Sequence, residues 1–64
     1  MGIKEFEKVK IKASGIIGTV VDIHVTDGEQ IFIVESQDKG VPGGYGPAED
    51  WKLFDCLENE IEKI

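Results

Sequence analysis

The sequence predicts an all-β fold of about five short strands. Three observations carry that reading. Asp27-Gly28 is a two-residue hairpin signal, because a type I′ turn needs positive φ at both central positions. The turn sits between two runs rich in β-branched and aromatic residues, Ile16–Val25 and Ile31–Val34. The register counted outward from the turn then agrees with the side-chain alternation. Val25 faces Gln30, His24 faces Ile31, Ile23 faces Phe32, Asp22 faces Ile33 and Val21 faces Val34. One face of the hairpin becomes apolar (Val21, Ile23, Phe32, Val34) and the other mixed (Asp22, His24, Ile31, Ile33).

The remaining elements follow in order. Glu5–Lys12 (EFEKVKIK) alternates Val9 and Ile11 with lysines, a first strand with one wet face. Ala13-Ser14-Gly15 is a short turn, and Gly15 and Gly18 bracket a place for a bulge or sharp bend. Gln37–Pro47 (QDKGVPGGYGP) holds four glycines and both prolines and reads as a long loop. Residues 50–64 admit two readings. As a helix they place Phe54, Leu57, Ile61 and Ile64 at helical spacing, with Pro47 at the first position and acids near the start. As strands they give an alternating Trp51–Cys56, a 3₁₀ turn over Leu57–Glu60 and a short last strand, Ile61–Ile64. The helical reading leaves a three-stranded antiparallel sheet plus a C-terminal helix.

The segment EKVKIKASGIIGTVVDI, the hairpin after it and the ending ENEIEKI together resemble the small SH3-like β-barrels of bacteria. In that family a Gly-Thr-Val-Val segment forms the long second strand, and an acidic 3₁₀ turn leads into a short closing strand. The resemblance covers nearly the whole chain except the Gly-rich loop, and it favours the strand reading of the C-terminal segment. It implies a single SH3-like domain over residues 1–64. It also implies that the closing strand lies beside the first, bringing Glu58, Glu60 and Glu62 toward Lys8, Lys10 and Lys12. The chain shares the Gly-x-Val shape of KOW-type modules but lacks their basic residues.

Composition narrows the function classes. The chain has 64 residues, one cysteine (Cys56), one histidine (His24) and no arginine. An internal disulfide is excluded, and there is no zinc spacing, calcium loop or cofactor motif. Residues 1–12 carry four lysines against two glutamates, a net of +2, and the rest carries three lysines against eleven acids, a net of −8. Nucleic acid is a poor partner for such a chain, and a basic protein face a good one. No stretch is apolar enough to span a membrane and no signal peptide opens the chain, so a cytoplasmic protein of bacterial or phage-like style is expected.

Catalysis is not expected. His24 stands alone on a strand, and Cys56 lies in an apolar run without a basic neighbour. The glycines of Gly40–Gly46 are followed by Glu49 and Asp50, which would repel phosphate, so a flexible connector is the expectation there. Candidate partner-binding residues are Tyr45, Trp51, Glu49 and Asp50 around the loop, and Ile31 and Ile33 on the mixed face. Tyr45 is expected to be exposed. Trp51 is expected to cap one end of the barrel core, and a neighbouring strand or loop to cover Ile31 and Ile33. The function expected is a non-catalytic module binding a protein partner. The alternatives are a KOW-like nucleic-acid module and an inhibitor or immunity protein whose acidic surface covers a basic active site.

Overall fold

The computed structural model describes residues 2–64. It is an all-β globule with strands β1 (Lys8–Ile11), β2 (Ile17–Thr26), β3 (Glu29–Ser36), β4 (Leu53–Leu57) and β5 (Ile61–Lys63), and a 3₁₀ turn over Glu58–Glu60. The strands form one antiparallel sheet in the order β4-β3-β2-β1-β5, packed around a single core. Val9, Val20, Phe32 and Val34 are fully buried there, with Ile11, Cys56 and Ile61 beside them and Ile3, Ile16, Ile23 and Phe54 packed around. Residues 53–63 take the strand reading because strand geometry alternates Phe54 and Cys56 into the core and leaves Leu53 and Asp55 outside. The 3₁₀ turn then reverses the chain so that Ile61 enters the core. A helix would have placed Asp55, Glu58 and Glu62 no better, and would have left β1 and β3 without their outer neighbours.

The hairpin register holds from Thr26↔Glu29 as far as Asp22↔Ile33. There it shifts. Val34 pairs with Val20, not Val21, because a bulge lies between Val20 and Asp22. The extra residue resets the alternation: Val20 is fully buried and Val21 only half-buried, so the core face is Val20, Ile23, Phe32 and Val34. The bulge thus falls at Val21, three residues after Gly18, and not between Gly15 and Gly18. Gly18 has a different reason to be glycine. A Cβ there would collide with the Glu35 carbonyl and press on Val34 of the paired strand β3.

The first strand starts later than Glu5. Phe6 adopts φ 68, a left-handed turn that breaks the extended run. It is 76% exposed, so no core contact draws it inward. Pairing of β5 with β1 (Ile11↔Ile61, Lys10↔Glu62, Val9↔Lys63) realises the expected neighbourhood of lysines and glutamates in part. Lys10 Nζ lies 3.5 Å from Glu62, while Lys12 and Glu60 meet through the backbone, Lys12 N–H donating to the Glu60 carbonyl at 2.9 Å. A further ion pair, Lys63 to Glu7 at 3.3 Å, ties the same two chain ends.

Candidate interaction surface

Strand pairing assigns each side chain of β2, β3 and β4 to a face. Residues directly opposite in an antiparallel pair share a face, and successive residues alternate. Phe32 pairs with Cys56 and Val34 with Phe54, which defines the inner face. The outer face therefore carries Glu29, Ile31, Ile33 and Glu35 from β3, Leu53, Asp55 and Leu57 from β4, and Asp22, His24 and Thr26 from β2. On this face Ile31, Ile33 and Leu57 are half-buried and Leu53 is exposed.

Tyr45 joins this surface. It forms an isolated antiparallel bridge with Leu53, its N–H donating to the Leu53 carbonyl at 2.8 Å and its carbonyl accepting from Leu53 N–H at 2.9 Å. Bridge partners share a face, so the Tyr45 ring, 65% exposed, extends the row of Leu53. Tyr45 and the isoleucines, separate candidates in the sequence, thus belong to one surface. At its middle Ile33 lies between Asp22 on β2 and Asp55 on β4. Toward the hairpin tip the face sinks into a hollow of about 520 Å³ lined by His24, Thr26, Glu29, Ile31, Ile33 and Asp55. His24 Nε2 stands 3.4 Å from the Asp22 carboxylate at its edge. Four carboxylates, Asp22, Glu29, Glu35 and Asp55, surround this apolar centre, and His24 is the one basic side chain among β2–β4 residues of the face.

The loop residues divide differently. Trp51 does not cap the core: it is 47% exposed, with Lys39 Nζ 4.4 Å from the ring centroid. An indole packed against a lysine stem and ammonium gains a cation–π contact without burial. The loop glycines, not Trp51, pack on Phe54 at the edge of the core. A Cβ on Gly44 would come within 3.0 Å of the Phe54 ring and of the Leu53 carbonyl, so only a bare backbone packs there, and its φ of +71 suits glycine as well. Asp50 accepts from the Trp51 N–H at 2.8 Å, and Glu49 is exposed on the same loop. Neither belongs to the sheet face.

Nor is the loop a loose connector. Lys52 is buried (8% exposed), and its ammonium donates to the Val41 carbonyl at 3.2 Å and the Gly43 carbonyl at 2.9 Å. Its backbone N–H donates to Ser36 Oγ, which in turn donates to the Asp38 carbonyl. The loop is folded around this lysine. In the sequence Lys52 passes for an ordinary surface cation, and nothing local marks it as the loop's centre.

Cys56 is buried against Phe32, and burial, with Glu60 and Asp55 nearby, pushes its thiol up to about 11. A thiol so disposed is a poor nucleophile at neutral pH. Among the described residues, no three His, Cys, Asp or Glu side chains are grouped to hold a metal ion. No helix among them is long and apolar enough to cross a membrane. The chain matches no protein-family model, no curated protein and no solved structure.

Proposed function

We propose that this chain is a non-catalytic interaction module that docks a basic protein partner on the outer face of β2, β3 and β4. One observation supports the reading above others: the register gathers Tyr45, Leu53, Leu57, Ile31 and Ile33 on a single, partly exposed face with carboxylates around them. Apolar and aromatic side chains supply the desolvated centre of an interface, and the acidic rim selects and steers a cationic partner. The same rim opposes a nucleic-acid backbone, so the KOW-like alternative loses ground on this face. An inhibitor that covers a basic active site would use the identical chemistry and is a special case of the proposal. Bacterial origin and a cytoplasmic setting remain part of it.

The test is affinity capture with the whole chain as bait, compared with Ile33→Lys and Tyr45→Ala at equal folded fraction. The expected outcome is one net-basic partner held by the unaltered chain, released by raised salt and lost from both variants. A partner retained by both variants, or binding indifferent to salt, would overturn the proposal.

A further inference from the structure

The two edge strands of the sheet, β4 and β5, do not pair with each other, and the fold has a seam between β4 and the end of β1. Ser36 N–H donates to the Lys52 carbonyl, so the hydrogen-bonded positions of the β3–β4 ladder are Lys52, Phe54 and Cys56. The peptide groups of Leu53, Asp55 and Leu57 point the other way, into the seam. Two of the three are occupied. Tyr45 takes both groups of Leu53, and the Glu60 carboxylate accepts from Leu57 N–H at 2.7 Å. Asp55 between them has no hydrogen-bond partner for its N–H or carbonyl among the described residues.

A cleft of about 470 Å³ opens on that same edge. Its walls are Phe54 and Cys56 on one side and Ile11 and Ala13 on the other, with Lys12 and Glu60 at the rim. The lining is chiefly apolar and leads to buried Cys56 and Ile11. An unpaired donor and acceptor on one peptide group, beside an apolar hollow, are the two halves of a strand-addition site: main chain pairs with main chain, and an alternate side chain fills the hollow.

We infer that the seam binds an extended peptide segment of a partner. The segment has three residues opposite Phe54, Asp55 and Cys56, the length left free between Tyr45 and the Glu60 carboxylate. Its central residue exchanges both hydrogen bonds with Asp55 and turns its own side chain to the outer face. Its two neighbours turn inward, where a Val-sized apolar side chain enters the cleft. This site uses the free edge of β4 and not the apolar centre of the outer face, and it stands or falls separately from the proposed docking there.

Amide exchange and a peptide titration test the inference on the ¹⁵N-labelled whole chain. In the free protein the Asp55 amide exchanges about tenfold or more faster than those of Phe54 and Cys56. Equal protection would mean a closed seam and overturn the proposal. The probe is Ac-Val-Thr-Val-NH₂, with the same peptide N-methylated at threonine as control. Saturable shifts at Asp55 and Ala13, with slowed Asp55 exchange, are expected from the first peptide and not from the second. Ala13→Phe, which fills the cleft from an exposed turn, abolishes the response while the circular dichroism spectrum stays the same. Equal shifts with the methylated peptide would reduce the cleft to an apolar pocket. Shifts confined to Ile31 and Ile33, or present on concentrating the protein without peptide, would assign binding elsewhere or to self-association. Each of these three results overturns strand addition.

Discussion

At the scale of single residues, steric room and burial decide more than residue type. Gly18 is required because the Glu35 carbonyl of the paired strand β3 comes closer to it than any Cβ tolerates. Backbone cannot swing aside as a side-chain end does, so Gly18→Ala forces β2 and β3 apart. The expected loss is about 3 kcal/mol, a large part of the roughly 3–10 kcal/mol a chain this size holds, read as a fall in the urea midpoint. Cys56 gives a pH signature. Its thiol ionises near 9.0 when free and near 11 in the fold, so the fold favours the neutral form. That contribution is fully present below pH 9 and is lost as pH rises toward 11. The urea midpoint is therefore expected to fall across that window more in the unaltered protein than in Cys56→Ala. An equal fall in both would assign the effect to the lysines.

At the scale of elements, the Gly-rich loop shows how a buried charge organises chain that carries no regular structure. The Lys52 ammonium gathers the Val41 and Gly43 carbonyls, and Gly44 packs on Phe54. Burying an ammonium costs desolvation that two neutral carbonyls only partly offset. Lys52→Met is therefore expected to move the melting temperature little, within about 1 kcal/mol, while amide exchange over residues 41–46 rises clearly. Unchanged exchange there would show that glycine packing on Phe54 holds the loop alone. The β1–β5 ion pair carries less. Lys10 and Glu62 are both about half exposed, and such pairs contribute about 0.2–1 kcal/mol. The hairpin was legible because turn chemistry and alternation agree over Asp22–Ile33. The bulge that moves the core position from Val21 to Val20 was not, because both valines look alike and only the fit to β1 and β3 selects one.

At the scale of the whole molecule, the chain ends carry the fold. β1 lies between β2 and β5, and Ile61 of β5 enters the core beside Val9 and Ile11. Bringing sequence-distant ends together costs chain entropy and returns burial only when both ends are present. Truncation after Glu60 removes Ile61 and exposes the outer edge of β1. The expected outcome is loss of the cooperative thermal transition, measured by circular dichroism, and not a modest shift in its midpoint. A truncated chain that still melts cooperatively would show that β1–β4 suffice. The same sheet order leaves the seam, since β4 is an edge strand and its free edge lies beside the end of β1. The two exposed features of the molecule, an acidic sheet face with an apolar centre and an apolar cleft with a free peptide group, are separate consequences of one sheet order.

The sequence by itself determined the Asp27-Gly28 hairpin and the exposure of Tyr45, through local chemistry: turn dihedrals and side-chain alternation. For residues 50–64 the residues alone left helix and strand open; the resemblance favoured strands with a 3₁₀ turn, and the structure has them. Only the tertiary structure decided that Tyr45 shares a face with Ile31 and Ile33, that Trp51 lies outside on Lys39, that Lys52 is buried under the loop, and that Asp55 faces the seam unpaired. Each of these depends on which strand edge meets which loop. That is set by packing between residues far apart in the chain, and no local pattern encodes it.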